Sequence, residues 1–440
     1  MSLSLRLFRL FWALLWTAGL PLALIYLWRR GRKDPAYTAA LAERFGHYTR
    51  PMPGAVWVHA VSLGELRSAV PLIRALFAQG ERVVTTHFTP AGRAEAERVF
   101  AADIAAGRMQ AVWVPFDVGW AFAGFFRTFR PRYGLVMEIE IWPGMVFAAR
   151  GAGVPLLMCN AQYPADSLAR DARGLRLRQQ VMAGFAGALV KSDLQARRFA
   201  GAGVQNIAVT GELRFDQPVP QGQVQAGAAA RHWIGAAHRR VICIASAIEG
   251  EDPIFLHAIA ALRQDHAARG AAMPLFVYVP RRPERFDEVA ATLAATGLTV
   301  LRRSSLPGAF APEGWPAPGE CPDVFLGDSL GEMYAYLSMA DTAVIGGGFN
   351  PKGSHNISEA LVLGLPVLTG PHVQTIEFPF FEAEAAGVAL RCAGGEELAR
   401  HLIAGWRPDA AAIEGFVASQ RDATARTLAA IPALLAAVRP

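Results

Sequence analysis

The residues of this 440-residue chain best suited to chemistry sit in short turns between an apolar run and a helical pattern. Residues 56–60 form a short apolar, β-branched run, and from Leu66 the residues Ala69, Val70, Ile73, Leu76 and Phe77 recur at helical spacing. That pattern predicts a buried strand feeding a helix, with Ser62, Leu63, Gly64 and Glu65 as the turn. In an open α/β sheet the turn at a strand's carboxyl end is where ligands bind, so Glu65 is a candidate general base. Ser62-x-x-Glu65 also reads as a capping box, in which serine and glutamate satisfy orphan backbone N–H groups, and the helix dipole favours the carboxylate there. A cap and a base are compatible roles.

A second group lies in the other half of the chain. Gly346-Gly347-Gly348 opens a loop running through Lys352, Gly353, Ser354, His355 and Asn356 to a helical pattern at 357–363. Glycines let backbone N–H groups approach an anion, and a helix N-terminus adds a favourable dipole, so the loop suits phosphate. Its spacing is neither the dinucleotide fingerprint nor the Walker loop. The plainer reading is a tight turn in which Asn356 caps the helix with Glu359 at its third position. Arg281 and Arg282 follow another strand, between Pro280 and Pro283, and offer planar charged donors for phosphate or carboxylate, or simply a solvated basic loop. Ser246 begins a third such turn and could donate to a phosphate, while Glu249, Glu251 and Asp252 read as first-turn charges. Glu138 and Glu140 precede Trp142-Pro143, where a carboxylate could orient a hydroxyl or pair with an arginine. His59, inside a strand, reads as a core histidine.

The elements that must position these residues form a regular series. Strand-like runs are expected at 56–60, 82–86, 111–114, 134–137, 155–159, 188–190 and 207–210, with helical patterns such as 92–100 and 121–129 between them. A second series is expected at 241–245, 275–279, 298–301, 324–326, 342–345, 366–369 and 388–391. Such alternation predicts parallel, doubly wound sheets, and two Rossmann-like halves place a ligand cleft between them. Residues 217–230, rich in Pro, Gly, Gln and Ala, read as an interdomain linker. The expected division is a membrane anchor with basic flank at 1–33, an N-terminal Rossmann-like domain at 34–218 and a C-terminal Rossmann-like domain at 219–440. Within it, 34–53 reads as a linker or short amphipathic segment, 306–321 as a surface loop, and 410–438 as helix packed along the back.

Residues 11–28 carry no charge and are followed by Arg29, Arg30, Arg32 and Lys33. As a helix the run covers about 27 Å, close to one hydrocarbon core, and four cations directly after it argue against a cleaved signal. Pro21 leaves room for a helix lying in one leaflet. By the positive-inside rule the body is expected in the cytoplasm. Four cysteines, Cys159, Cys243, Cys321 and Cys392, form no Cys-x-x-Cys pair and suggest neither zinc nor a disulfide framework. The net charge of +6 is spread in small groups without a nucleic-acid motif, which favours lipid or small anions and speaks against nucleic acid.

Taken together, the chain resembles the Kdo transferases of lipopolysaccharide assembly, which move 3-deoxy-D-manno-oct-2-ulosonic acid (Kdo) from CMP-Kdo to a lipid A precursor. The likeness covers almost the whole chain: the N-terminal anchor, Glu43-Arg44-Phe45-Gly46, the run from Trp57 to Glu65, Thr89-Pro90-Ala91-Gly92, and Glu138 to Pro143. It continues through Gly211 to Asp216, Pro280 to Phe286, Gly327 to Met333, and His355-Asn356 with Glu359. The resemblance implies a GT-B glycosyltransferase, inverting and metal-independent, needing no cofactor, with 34–218 as its acceptor domain and 219–440 as its nucleotide-sugar (CMP) domain. It implies Glu65 as the base, and Ser246, Arg281, Gly353, His355, Asn356 and Glu359 around the CMP group, with Arg214, Glu138 and Lys352 as further contacts. It also implies an inner-membrane location with the catalytic domains on the cytoplasmic side. The chain departs from the family pattern at Gly144, Gln162, Ala247, Ile248 and Arg282, several of them in loops expected to touch donor or acceptor. A divergent transferase for a related CMP-activated 2-keto sugar acid or another acceptor is therefore an alternative. So are a sugar-nucleotide epimerase and a non-catalytic membrane scaffold.

Overall fold

The computed structural model describes residues 3–317 and 319–437, which divide into two compact units, residues 1–217 with 421–440 and residues 218–420. In the first unit seven strands form one parallel sheet: β1 Val56–His59, β2 Val83–His87, β3 Met109–Trp113, β4 Gly134–Met137, β5 Leu156–Ala161, β6 Gly187–Val190 and β7 Ile207–Val209. Their order is β3-β2-β1-β4-β5-β6-β7. Chain progression reverses between β1 and β4, which are paired with Trp57 opposite Gly134. That reversal is a topological switch point, where ligands collect beyond the strand ends. β1, β2, β4, β5 and β6 are buried along their whole length, and β1, β4, β5 and β6 accordingly read as largely apolar runs rather than alternating ones, while β2 buries Thr85, Thr86 and His87. One face carries an aromatic core in which Trp57 packs on Phe122, Phe125 and Phe126.

The second unit repeats the plan with β8 Val241–Ala247, β9 Leu275–Pro280, β10 Val300–Arg302, β11 Val324–Leu326, β12 Thr342–Ile345, β13 Val367–Thr369 and β14 Ala389–Arg391. Its order is β10-β11-β9-β8-β12-β13-β14, again parallel, with the switch point between β8 and β12. Each expected strand has its counterpart in one of the two sheets.

Four segments differ from expectation. Residues 217–230 are not an open linker, because Gln221–Trp233 is a helix. Its Gln and Ala residues are good helix formers, and bare Gly227 allows close docking, since a Cβ there would come within 2.2 Å of the Ala335 carbonyl. Segment 306–321, in which Pro318 lies outside the described residues, is no free loop either: Phe310 and Trp315 are buried and the Arg303 guanidinium lies over both rings. Within 34–53 the short helix Leu41–Arg44 is tied down by Arg44, which stacks on Trp113 at 4.2 Å. The helices Ala410–Gln420 and Ala423–Ala436 part company, because the second joins the first unit, where Asp216 accepts the Thr424 N–H. Residue 438 of the expected segment 410–438 lies outside the described residues.

Helix α1, Leu3–Gly31, contains an 18-residue apolar stretch of mean hydropathy 1.9, with Arg6 and Arg9 near its start and Arg29 and Arg30 at its end. By length and composition it is the one helix among the described residues able to cross a membrane. One stripe, Leu5, Phe8, Trp12, Trp16, Leu20, Leu24 and Leu27, recurs every three or four residues and touches the first unit at intervals along the helix. The opposite face is exposed.

Candidate active site

Glu65 lies in the first turn of the helix Leu63–Ala78, just past β1. Ser62 is the N-cap and accepts the Glu65 N–H at 3.4 Å, while the Ser62 hydroxyl donates to Glu65 Oε1 at 3.0 Å. Glu65 Oε2 accepts the Val61 N–H at 2.7 Å. These bonds favour the carboxylate, yet burial, reinforced by Glu140 and Glu138, outweighs them and pushes its pKa up to about 7. A cap alone would leave an ordinary or lowered value. A carboxyl that titrates near neutrality can take a proton from a hydroxyl at working pH.

The acids that raise Glu65 are themselves placed by strained strand ends. Glu138 follows β4 with φ of 56°, and Asn160, at an irregularity in β5, has φ of 53°. Asn160 Nδ2 donates to Glu138 Oε1 and Glu212 Oε1, each at 2.9 Å. The Lys191 ammonium, past the end of β6, bridges Glu138 at 2.9 Å and Glu212 at 2.8 Å. Burial lowers the Lys191 pKa, but Glu138 and Glu212 outweigh it and leave it raised; burial pushes Glu212 up, but Lys191 and Arg214 hold it below its ordinary value. Thus Glu138 pairs with a lysine rather than an arginine. Glu140 accepts the Trp142 indole N–H at 2.6 Å. Arg214 donates to Ser68 of the Glu65 helix at 2.8 Å. His59 shares a hydrogen bond with Thr86, and burial pushes it down to about 3, which makes it a neutral core histidine.

In the second unit the turns after β8, β9 and β12 enclose a cavity of about 420 Å³, lined by Ile248, Arg281, Arg282, Lys352, Gly353 and His355 among others. Burial, with Arg281 and Arg282 beside it, pushes the His355 imidazole down to about 4, and its Nε2 is buried without a hydrogen-bond partner. Gly353 has φ of +96°, and a Cβ there would meet Thr375 at 2.7 Å, so only glycine fits. The Gly loop is held from below by Glu251, whose carboxylate accepts the N–H groups of Ile248, Gly347 and Phe349. Glu251 is therefore more than a first-turn charge, and with no exposed surface it is the loop's anchor. Ser246, Asn356 and Glu359 stand outside the cavity lining. Ser246 occupies a left-handed bulge in β8 with φ of 62°, and Asn356 accepts the N–H of Ser358, two residues on, rather than that of Glu359. Lys352 reaches only a loose pairing with Glu249, 3.8 Å away. Among the described residues no cluster of three or more His, Cys, Asp or Glu side chains is disposed to hold a metal ion.

Residues 39–217 match the family described as 3-deoxy-D-manno-octulosonic-acid transferase (kdotransferase). A 3-deoxy-D-manno-octulosonic acid transferase of Bordetella pertussis is 42% identical over 84% of this chain and 85% of its own length. The chain belongs to the Kdo transferase family. The Haemophilus influenzae protein of the same name is 29% identical over 82% of this chain and 81% of its own. A glycosyltransferase structure from Rickettsia africae matches with a TM-score of 0.55 over 89% of this chain and 100% of its own, at 10% identity, which speaks to the fold alone. This Kdo transferase is a glycosyltransferase of GT-B fold acting in lipopolysaccharide synthesis, and that membership favours glycosyl transfer over the epimerase and scaffold readings.

One departure of this Kdo transferase from its family pattern has a steric cause. At Gly144 a Cβ would come within 2.3 Å of the Asp117 carbonyl oxygen. Asp117 accepts the Met145 N–H at 2.7 Å and the Trp12 indole N–H at 2.8 Å, tying α1 to the start of the helix Pro143–Gly151. Burial pushes its carboxyl up to about 6. Asn160 and Lys191 are the site residues sequence reasoning passed over, and Glu251 is one it took for a first-turn charge. Only their position at strand ends could have flagged them.

Proposed function

We propose that this Kdo transferase moves Kdo from CMP-Kdo to a lipid A precursor with inversion, and that Glu65 is the general base. Glu65 takes the proton of the acceptor hydroxyl as its oxygen forms the bond to the anomeric carbon of Kdo. The bond from that carbon to the CMP phosphate oxygen breaks, and its electron pair leaves with CMP. The observation that carries this reading is a half-buried carboxyl among other acids at a sheet switch point, poised near pH 7 despite its capping bonds.

Arg281 and the backbone around Gly353 receive the CMP phosphate, with Lys352 adding charge. Preorganised cations and N–H groups stabilise charge on a leaving phosphate, a task they can perform without a metal ion. His355 stays neutral until an anion arrives, and its unpartnered Nε2 is then available as a ligand contact. Ser246, Asn356 and Glu359 act behind this first contact, shaping the loops. Glu138 acts on Glu65 through its charge, and Arg214 positions the Glu65 helix through Ser68.

The exposed face of α1 lies in the cytoplasmic leaflet of the inner membrane. Contacts with the first unit spaced along α1 from Leu5 to Leu27 support a helix in the membrane plane over one that crosses it.

A second reading, a related CMP-activated 2-keto sugar acid as donor, is favoured by Ile248, which brings apolar surface into the cavity lining. The test is transfer by purified protein from CMP-Kdo to a tetra-acylated lipid A precursor without added metal. Transfer is expected. CMP binding without turnover of CMP-Kdo would move the assignment to the second donor, and no CMP binding would overturn the anion-site reading.

A further inference from the structure

Along its N-terminal half, α1 does not close fully onto the first unit. Between it and the helices Gly119–Phe129 and Pro143–Gly151 lies a cavity of about 520 Å³, within the range of small-molecule pockets. Its walls are apolar, with Leu10, Ala13, Val118, Phe126 and Phe147 among them. The polar groups inside are already paired, because Asp117 and Trp12 bond each other and Asp117 also takes the Met145 N–H. The cation of the lining is Arg9, which is exposed. No residue assigned above to catalysis or to the donor lines it.

Leu10 belongs both to this slot and to the outer face of α1, where Leu7, Phe11, Leu14 and Leu15 are 51–71% exposed. Slot and outer face are thus one continuous apolar surface. In water such a slot would be wetted or empty, and against a bilayer it is open to a lipid tail.

We propose that the slot takes one acyl chain of a membrane glycerophospholipid, with the chain against Leu10, Ala13, Phe126 and Phe147 and an anionic headgroup phosphate at Arg9. This rests on the reading of α1 as a helix lying in the membrane. The phospholipid is preferred to the transfer acceptor because the slot runs along helix flanks and shares no residue with the Glu65 site.

The full chain is bound to phosphatidylglycerol vesicles containing a trace of phosphatidylglycerol with a diazirine in one acyl chain, irradiated, and mapped by peptide mass. Cross-links are expected at Ala13 and in Phe147–Ala152 as well as on the outer face. Gly151→Leu fills the slot without a clash, since a Cβ there meets no atom within 4 Å. It should abolish the slot cross-links while leaving vesicle binding and the outer-face cross-links intact, and Ala148→Phe should do the same. Cross-links confined to the outer face, or slot cross-links unchanged in both variants, would overturn the assignment. So would slot cross-links displaced by a tetra-acylated lipid A precursor but not by unlabelled phosphatidylglycerol, which would give the slot to the acceptor. Failure to bind vesicles would overturn the membrane reading of α1 and the slot with it. Transfer is not read, so the outcome is independent of the base and donor assignments.

Discussion

At the switch point of the first sheet the strand ends gather Glu65, Glu138, Glu140 and Glu212, with Lys191 bridging Glu138 and Glu212, whereas at that of the second they gather Arg281, Arg282, Lys352 and His355. The same topology thus carries opposite charge. The effect on titration is opposite too: Glu65 is pushed up to about 7 and His355 down to about 4. Burial is the largest cause in both, and like-charged neighbours add to it. One site keeps a carboxyl poised near neutrality, and the other keeps an imidazole uncharged beside cations. In the second unit the buried acid, Glu251, is spent on the loop's N–H groups and leaves the cavity basic.

The comparison is broken most severely at Glu65. Glu65→Gln keeps the shape and part of the cap, and turnover should fall about 10²–10⁴-fold with CMP binding unchanged. An intact rate would remove the base from the first site.

Lys191→Met leaves buried Glu212 and half-buried Glu138 without their cation. Breaking a buried pair costs about 3–5 kcal/mol, so denaturant unfolding should show a loss of that order. A loss within error of zero would show that the lysine does not hold the acids together.

Arg281→Ala should weaken CMP binding roughly 10–100-fold, as expected for lost hydrogen bonds to a charged group, while the pH dependence of turnover stays as in the wild type. A changed pH profile with unchanged CMP binding would contradict the division of labour.

The smallest effects are opposite stability slopes. Glu65 is raised from an ordinary value near 4.5, so the folded chain holds its proton longer and stability from this group is lost as pH rises from 4.5 through 7. His355 is lowered from an ordinary value near 6.5, so the unfolded chain takes up its proton first and stability is lost as pH falls from 6.5 through 4. Over pH 4–7 the two slopes therefore oppose each other, so stability, read by thermal unfolding, should rise more steeply with pH in Glu65→Gln than in the wild type and less steeply in His355→Gln. The same slope change in both variants would deny the contrast.

Much of this was legible in the residues. Val56 to Ala60 reads as a buried strand because parallel strands covered on both faces lack alternation, and Ser62 with Glu65 marks the helix start. Arg281, Gly353 and His355 were found from residue type and turn position. Lys191 and Asn160 were not, because each becomes a partner of Glu138 only when strand order brings β4, β5 and β6 side by side. The helix Gln221–Trp233 was hidden by Gly222 and Gly227, whose spacing looked flexible until Gly227 was seen against Ala335. Asn356 and Glu359 suggested a cap, but the turn closes one residue earlier, at Ser358.

The pH dependence of kcat/KM for transfer bears most directly on the central claim, that a desolvated Glu65 is the base. The account predicts a rate that climbs with pH through an ionisation near 7 in the wild type, and a rise missing from the residual activity of Glu65→Gln. A wild-type profile flat across pH 7, or the same ionisation persisting in the variant, would contradict it.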